Sequence, residues 1–133
     1  MKLSAKTRYG LAALAYMDHM DQDVLTLQAI SEHLNVSKLY LEQIFSHLKE
    51  AQLVDSIKGP SGGYFLTSAQ CSIYNILKSL QPGLFEKTPP STDHDPINAA
   101  LCDHLYTPID TLMKDKLDSL KLRDITENII CDS

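Results

Sequence analysis

The chain has 133 residues, of which 44% are hydrophobic and 22% are charged, with five Gly and six Pro. This composition is typical of a globular domain and excludes a disordered, collagen-like or coiled-coil-only chain. Twelve Lys and Arg against 17 Asp and Glu give a formal net charge of -5. That charge argues against a polybasic nucleic-acid binder, although a few well-placed cations would suffice to contact phosphates.

The first predicted element is an amphipathic helix from about Ser4 to Met20, with Ser4 as its N-cap. Its predicted apolar face consists of Tyr9, Ala13, Tyr16, Met17 and Met20. The cations Lys2, Lys6 and Arg8 precede an apolar run, as in a secretion signal. The run is short and interrupted by tyrosine, so we favour a helix of the folded domain.

Two further helices follow after short breaks. Thr26 is a good N-cap for a short helix that carries Leu27, Ile30 and Leu34 on one face and ends at Asn35. Ser37 caps a third helix, whose inward positions are Leu41, Ile44, Phe45 and Leu48. The short connection between the second and third helices indicates a helix-turn-helix, although any three-helix core would look similar.

A predicted β-hairpin comes directly after the third helix. Residues 53–58 alternate like a strand, residues 59–63 (Gly-Pro-Ser-Gly-Gly) form a turn, and residues 64–66 begin a return strand. Such a turn can simply require positive φ, but its glycines also leave backbone N–H groups uncovered for phosphates. Three helices followed by this hairpin predict a winged helix.

Three stretches of the chain carry a family resemblance. They are residues 1–10 (MKLSAKTRYG), 37–45 (SKLYLEQIF) and 58–64 (KGPSGGY). The chain resembles the bacterial winged-helix transcription regulators that include the iron-sulfur cluster regulator, the nitric-oxide-sensing repressor and the cysteine-metabolism repressor. The resemblance is strong over about the first 80 residues and only architectural beyond them.

This resemblance implies that the third helix, residues 37–51, enters the major groove of DNA and that the wing, residues 58–64, lies on the flanking groove. The implied DNA-binding residues are Lys6, Arg8, Ser37, Lys38, Tyr40, Glu42, Gln43, Lys58, Gly59, Pro60, Ser61, Gly62 and Gly63. Gln43 can pair with adenine and Glu42 with cytosine, whereas Lys38 suits a phosphate. Glu42 could equally be a solvated carboxylate or part of a helix salt bridge. The family more often has arginine at Lys58, so we expect weaker reading of groove shape by this wing.

The second half of the chain begins with a fourth predicted helix. It carries Ile73, Ile76, Leu77 and Leu80, and it stops at Pro82 and Gly83. A polar, proline-bearing loop is expected next, until Asp95 and Pro96 start another helix. Thr107 and Pro108 repeat that start signal, so either two helices abut or one long helix kinks at Pro108.

A long apolar stripe runs along this last helical region. It consists of Leu101, Leu105, Ile109, Leu112, Met113, Leu117 and Leu120. The stripe is too long to be buried on a small winged helix, and in the family the corresponding helix pairs with its mate in a two-fold dimer. Packing within one chain is the alternative. Residues 122–125 resemble the family's short final helix.

The positions of the cysteines indicate whether the chain could bind an iron-sulfur cluster. Cluster-binding relatives carry three closely spaced cysteines before the long helix, whereas here Cys71, Cys102 and Cys131 are widely separated. Cys102 and His104 are weak metal candidates, with Asp93, His94, Asp95 and Asp103 as neighbours. We therefore predict no metal or cofactor and disfavour an iron-sulfur cluster. The odd cysteine count and the lack of a membrane-length apolar run favour a cytoplasmic protein without membrane partners.

The prediction is a mainly α fold: a winged helix-turn-helix over residues 1–82, a loop over 83–96, and a dimerisation helix with a short final helix over 97–133. No catalytic motif emerges, so an enzyme is not expected. We predict a homodimeric repressor of transcription that binds double-stranded DNA at a palindromic operator. Its effector could be a protein, a small molecule or oxidation of Cys102. The alternative is a winged-helix module that binds proteins instead of DNA.

Overall fold

The computed structural model describes residues 2–86 and 95–130. Its elements in chain order are α1 (Ala5–Met20), α2 (Leu27–Leu34), α3 (Lys38–Glu50), β1 (Val54–Ile57), β2 (Gly63–Leu66), α4 (Ile73–Leu80), α5 (Pro96–Leu101), α6 (Thr107–Ser119) and α7 (Leu122–Thr126). A 3-10 turn follows α4 at Pro82–Phe85, where only a loop was expected, and a π-helical turn at Cys102–Tyr106 joins α5 to α6. In this described part of the chain, no helix has the length and apolar character needed to cross a membrane.

The predicted starts of the first three helices are confirmed by their caps. The side-chain oxygens of Ser4, Thr26 and Ser37 each accept a hydrogen bond from the backbone N–H three residues later. Each bond satisfies one of the amide groups that the first turn of a helix leaves unpaired. Asn35 ends α2 in the left-handed conformation, as expected of a helix stop.

The inward face of α1 differs from the prediction. Tyr9 and Met20 are each 37% exposed, whereas Thr7, Gly10, Ala13, Leu14 and Met17 are buried. The reason lies at Gly10, where an added Cβ would come within 2.7 Å of the Leu80 side chain. The small residue lets α1 approach α4 closely, with Tyr9 exposed and Tyr16 only partly buried against the core.

The core lies among α1, α3, α4 and the hairpin. Leu41, Ile44, Phe45 and Leu48 of α3 are fully buried, as predicted, and so is the apolar face of α4. Leu25 adds a strand-like contact that the sequence pattern did not indicate. Its backbone N–H donates to the Tyr64 carbonyl at 2.9 Å, and the Tyr64 N–H donates to the Leu25 carbonyl at 2.7 Å. This bridge fixes the wing to the segment between α1 and α2.

The long helical region is continuous. Leu101, Cys102, Tyr106 and Thr107 all have right-handed helical backbone angles, and the Thr107 N–H bonds to the Cys102 carbonyl five residues back. Of the two predicted alternatives, one continuous helix is therefore correct, and Thr107 does not start a new one. Pro108 has no N–H to donate to the preceding turn, and the wider π turn lies immediately before it.

The end of the chain returns to the first helices. The backbone N–H groups of Leu122 and Arg123 donate to the carbonyls of Cys71 and Ala69, and α7 packs against α1. The guanidinium of Arg123 binds both carboxylate oxygens of Asp18, at 2.9 and 2.8 Å, and the Thr126 hydroxyl donates to the same carboxylate. The short final helix is thus present as predicted, although its anchor on α1 was not foreseen.

Candidate nucleic-acid interface

The outer face of α3 is polar and free of packing. Its inner face supplies four fully buried side chains to the core, so Lys38, Glu42 and Gln43 on the opposite side are exposed. Ser37 accepts the Tyr40 N–H at 3.1 Å and thereby stabilises the first turn. The predicted base-reading residues therefore share one accessible surface, as a recognition helix requires.

Tyr40 is less available than the prediction assumed. It is half-buried, and its ring meets that of Tyr9 edge to face, with centroids 5.9 Å apart. Because this pair joins α3 to α1, most of the Tyr40 ring serves packing. Only the part of the side chain that water reaches is accessible to a partner.

The start of α1 lies beside the exposed outer face of α3. A hollow of about 430 Å³ is lined by Lys6, Leu39, Glu42, Gln43, Ser46 and His47. The structure thus brings one predicted cation together with both predicted base-reading side chains. Leu39 and Ser46 were missed by the prediction, although their spacing of seven residues along α3 places them on the same face.

Gln81 holds the first residues of the chain in place. Its side-chain oxygen accepts the backbone N–H of Ser4 at 3.0 Å and the hydroxyl of Thr7 at 2.8 Å. Its amide nitrogen donates to the Lys2 carbonyl at 3.0 Å. No motif in the sequence marks this residue, because its partners lie more than 70 positions away. The bonds fix the segment that presents Lys6 and Arg8.

The wing is a two-stranded antiparallel hairpin in which Val54 pairs with Leu66 and Ile57 with Gly63. Its tip closes by a bond from the Gly62 N–H to the Gly59 carbonyl at 3.0 Å. Gly59 has φ +112°, and an added Cβ at Gly62 would lie 2.0 Å from the Ile57 carbonyl oxygen. These two positions therefore require glycine for the turn itself.

The wing is also attached to α3. The Tyr64 ring meets Phe45 with centroids 4.8 Å apart, and the Lys49 ammonium donates to Ser56 at 2.8 Å. These contacts hold the hairpin beside α3. Lys58, Gly59, Pro60 and Ser61 at its tip remain exposed.

The cations divide into two groups. Lys49 pairs with Asp55 at 4.0 Å and Arg123 pairs with Asp18 at 2.8 Å, and these are the ion pairs found in the described part of the chain. Hydrogen bonding to Arg123 lowers the pKa of Asp18, and the same contact raises the pKa of Arg123. Within residues 2–86 and 95–130, the other nine Lys and Arg make no ion pair: Lys2, Lys6, Arg8, Lys38, Lys58, Lys78, Lys114, Lys116 and Lys121. Four of these nine, Lys6, Arg8, Lys38 and Lys58, lie on α1, α3 or the wing, where the prediction placed phosphate contacts.

The predicted dimerisation stripe is divided in the structure. Leu117 and Leu120 are partly buried against the core of the same chain, and their place in a subunit interface stays a prediction. Ile109 and Leu112 are exposed, by 44% and 70%, and Ile97 is 70% exposed. Pro96, Ile97, Ala100, Leu101, His104 and Leu105 line a second, mainly apolar hollow of about 430 Å³. The stretch from Ile97 to Leu112 is therefore the uncovered part.

Comparison with known proteins decides the family. A family model described as Rrf2, iron-dependent transcriptional regulator, matches residues 3–128. The chain belongs to the Rrf2 family. It is 33% identical, over 96% of its length and 88% of the relative, to an HTH-type transcriptional regulator of Neisseria meningitidis. It is 45% identical over 74 residues to IscR of Vibrio campbellii, covering 55% of this chain and 44% of that one.

Solved structures agree with the fold. The structure of CymR, the global cysteine regulator of B. subtilis, superposes with a TM-score of 0.83 and 31% identity, covering 98% of this chain and 99% of that one. The winged-helix architecture predicted from the sequence is confirmed. As a member of the Rrf2 family, the protein is a helix-turn-helix transcriptional regulator and not an enzyme.

The Rrf2 description raises the question of iron. Within the described residues, no three His, Cys, Asp or Glu side chains stand together as a metal site would need. Cys102 is half-buried on the long helix, and Cys71 is half-buried beside α7, where burial raises the pKa of its thiol. Asp93, His94 and Cys131 lie outside the described residues. The described donors thus do not fit an iron-sulfur cluster, which takes four thiolates or two thiolates and two imidazoles.

Proposed function

We propose that this Rrf2 protein is a homodimeric repressor that reads a palindromic operator. The observation that carries the proposal is that α3 presents an exposed, mostly polar face, and that four cations without an ion pair lie on α1, α3 and the wing: Lys6, Arg8, Lys38 and Lys58. Repression by occupying a promoter needs no function beyond DNA binding, so it is the simplest regulatory mode for this surface. We also propose that the chain is divided into a DNA-binding domain over residues 1–82, a loop over 83–96 and a dimerisation region over 97–133.

In this proposal, α3 enters the major groove through its first turns. Gln43 reads adenine by a bidentate pair, Glu42 accepts from cytosine N4, and Lys38 binds a phosphate. Lys6 and Arg8 bind the backbone beside the groove, where the N-terminus of α1 adds positive potential. Lys58 and the exposed wing tip contact the flanking groove.

The partner subunit would cover the uncovered stretch of the long helix. Leu101, Leu105, Ile109, Leu112 and Met113 present apolar surface along about half of that helix. A two-fold axis through this surface would place two recognition helices about 34 Å apart, on successive turns of one face of the duplex. The symmetry of the protein is then matched by an inverted repeat in the operator.

Selection of bound duplexes from a random library tests the proposal. We expect an inverted repeat to be enriched and two chains to bind each duplex in sedimentation analysis. Gln43→Ala should relax selection at an adenine in each half-site, whereas the matched control Gln28→Ala, on α2 and bonded to Glu32, should leave the selected sequence unchanged. Failure to enrich any duplex would support the protein-binding alternative, and one chain on an asymmetric site would contradict the dimer.

A further inference from the structure

Leu39 is an unexpected residue on the exposed outer face of α3. It is 68% exposed, which is the highest value among the large hydrophobic side chains of residues 2–86. It stands two positions before the fully buried Leu41, so the helical rotation between them directs it away from the core. A single exposed leucine needs no explanation on an ordinary surface, but this one lies on the surface that the recognition helix presents.

The neighbours of Leu39 define what it could contact. Glu42, Gln43 and Ser46 follow at spacings of three, four and seven residues, and with Lys6 and His47 they line the same hollow. Every other side chain of that hollow is polar or charged. A partner that fits it must therefore offer mostly polar groups, one anionic group near Lys6 and one apolar group near Leu39.

The major groove of DNA offers this combination. Its floor carries hydrogen-bonding edges, its rims carry phosphates, and the C5-methyl of thymine is its apolar group. A protein partner would have to supply a hydrophobic side chain, polar groups around it and a carboxylate near Lys6, whereas the groove carries all three kinds of group along its length. The observations therefore favour a base over a protein side chain.

We infer that Leu39 determines sequence specificity by contacting a thymine methyl group. The inference rests on the proposed function and extends it to a residue outside the predicted contact set. Gln43 and Glu42 supply hydrogen bonds to neighbouring bases, and Leu39 adds an apolar contact next to them. The predicted half-site thus contains one thymine that is recognised by its methyl group.

Deoxyuridine tests this contact because it removes only the methyl group from thymine. Each thymine of the selected duplex is replaced in turn, in both half-sites together, and Kd is measured by fluorescence anisotropy. Burial of one methyl group is worth about fourfold in Kd, or about fifteenfold over two half-sites. We expect one position to show this loss with the wild type and none with Leu39→Ala, whereas Leu39→Met should keep it.

Two controls separate this inference from the proposed function. Ile130→Ala removes another exposed apolar side chain, 90% exposed and beyond the end of α7, and should keep the full response to deoxyuridine. A wild type that binds the duplex tightly but responds to no methyl removal would overturn the role of Leu39 alone. The same holds if Leu39→Ala still responds at the same position. Absence of any selective, salt-dependent duplex binding would overturn the proposed function together with it.

Discussion

Gln81 offers a sharp prediction because one side chain joins the end of α4 to the start of α1. Replacing it by alanine removes three hydrogen bonds, to Ser4, Thr7 and Lys2. The buried Thr7 hydroxyl keeps its contact with the Ser4 hydroxyl at 2.8 Å, and the Ser4 N–H and Lys2 carbonyl are exposed to water, so no buried polar group is left without a partner. At a net 0.5–1 kcal/mol for each lost bond, Gln81→Ala should lower the free energy of unfolding by about 1.5–3 kcal/mol.

The effect on DNA follows from what Gln81 positions. The freed segment presents Lys6 and Arg8, which are proposed to bind phosphates. Phosphate contacts do not distinguish one base sequence from another. Affinity should therefore fall by a similar factor, about threefold to tenfold, on the selected duplex and on a random one. Urea unfolding followed by circular dichroism, together with anisotropy titrations, measures both quantities.

Two variants sharpen this test. Gln81→Glu keeps both acceptor bonds and loses the donor to Lys2, so it should cost about a third of the stability lost in Gln81→Ala. Gln70→Ala changes an exposed glutamine whose side chain makes no hydrogen bond within the described residues, and it should change neither quantity. Unchanged stability in Gln81→Ala, or a loss confined to the selected duplex, would refute the reasoning.

Further predictions concern stability, the wing, the dimer and iron. Asp18→Asn should lower the free energy of unfolding at pH 7 by about 1–2 kcal/mol. Because Arg123 lowers the pKa of Asp18 from 3.8, this stabilisation is present above pH 3.8 and is lost as the pH falls through the lowered value. If the wild type and Asp18→Asn still differed in free energy of unfolding in strong acid, the prediction would be wrong. Gly62→Ala should distort the wing tip, since its Cβ would meet the Ile57 carbonyl. We expect weaker DNA binding with an unchanged dimer. An affinity for DNA equal to that of the wild type would contradict a contact between the wing and DNA. Leu105→Asp should raise the dimer dissociation constant measured by sedimentation at least tenfold, and an unaltered constant would place the interface elsewhere. Protein purified anaerobically should show no iron-sulfur absorbance, and a brown protein with stoichiometric iron would contradict our reading of the cysteines.

Local signals account for the parts of the fold that were predicted well. The three N-caps and the helical spacing of α3 and α4 act within a few residues, so their effect on structure is visible in the sequence. Gly59 and Gly62 likewise mark a turn that only glycine fits. The same holds for Asp95, whose side chain caps α5 as expected.

The errors and omissions arise from contacts between distant segments. The orientation of α1 is set by the close approach of Gly10 to Leu80, which no periodicity within α1 reveals. Leu117 and Leu120 belong to an apolar stripe, and only the packing of α6 on the core shows that they are also partly buried within the chain. Gln81 and Leu39 were not predicted because neither belongs to a local sequence pattern. The partners of Gln81 are distant along the chain, and the proposed partner of Leu39 is on DNA.

The central claim is that a few cations on an acidic chain bind DNA, and the salt dependence of binding tests it most directly. Each phosphate contact contributes about 0.9 to the slope of log Kd against log salt concentration, so Lys38→Ala with Lys58→Ala should reduce that slope by about 1.8 per chain. Lys49→Ala, whose ammonium is bonded to Ser56, serves as the control and should leave the slope unchanged. We predict a flattened slope and loss of stable duplex binding for the double variant. A double variant with the slope and affinity of the wild type would contradict the account.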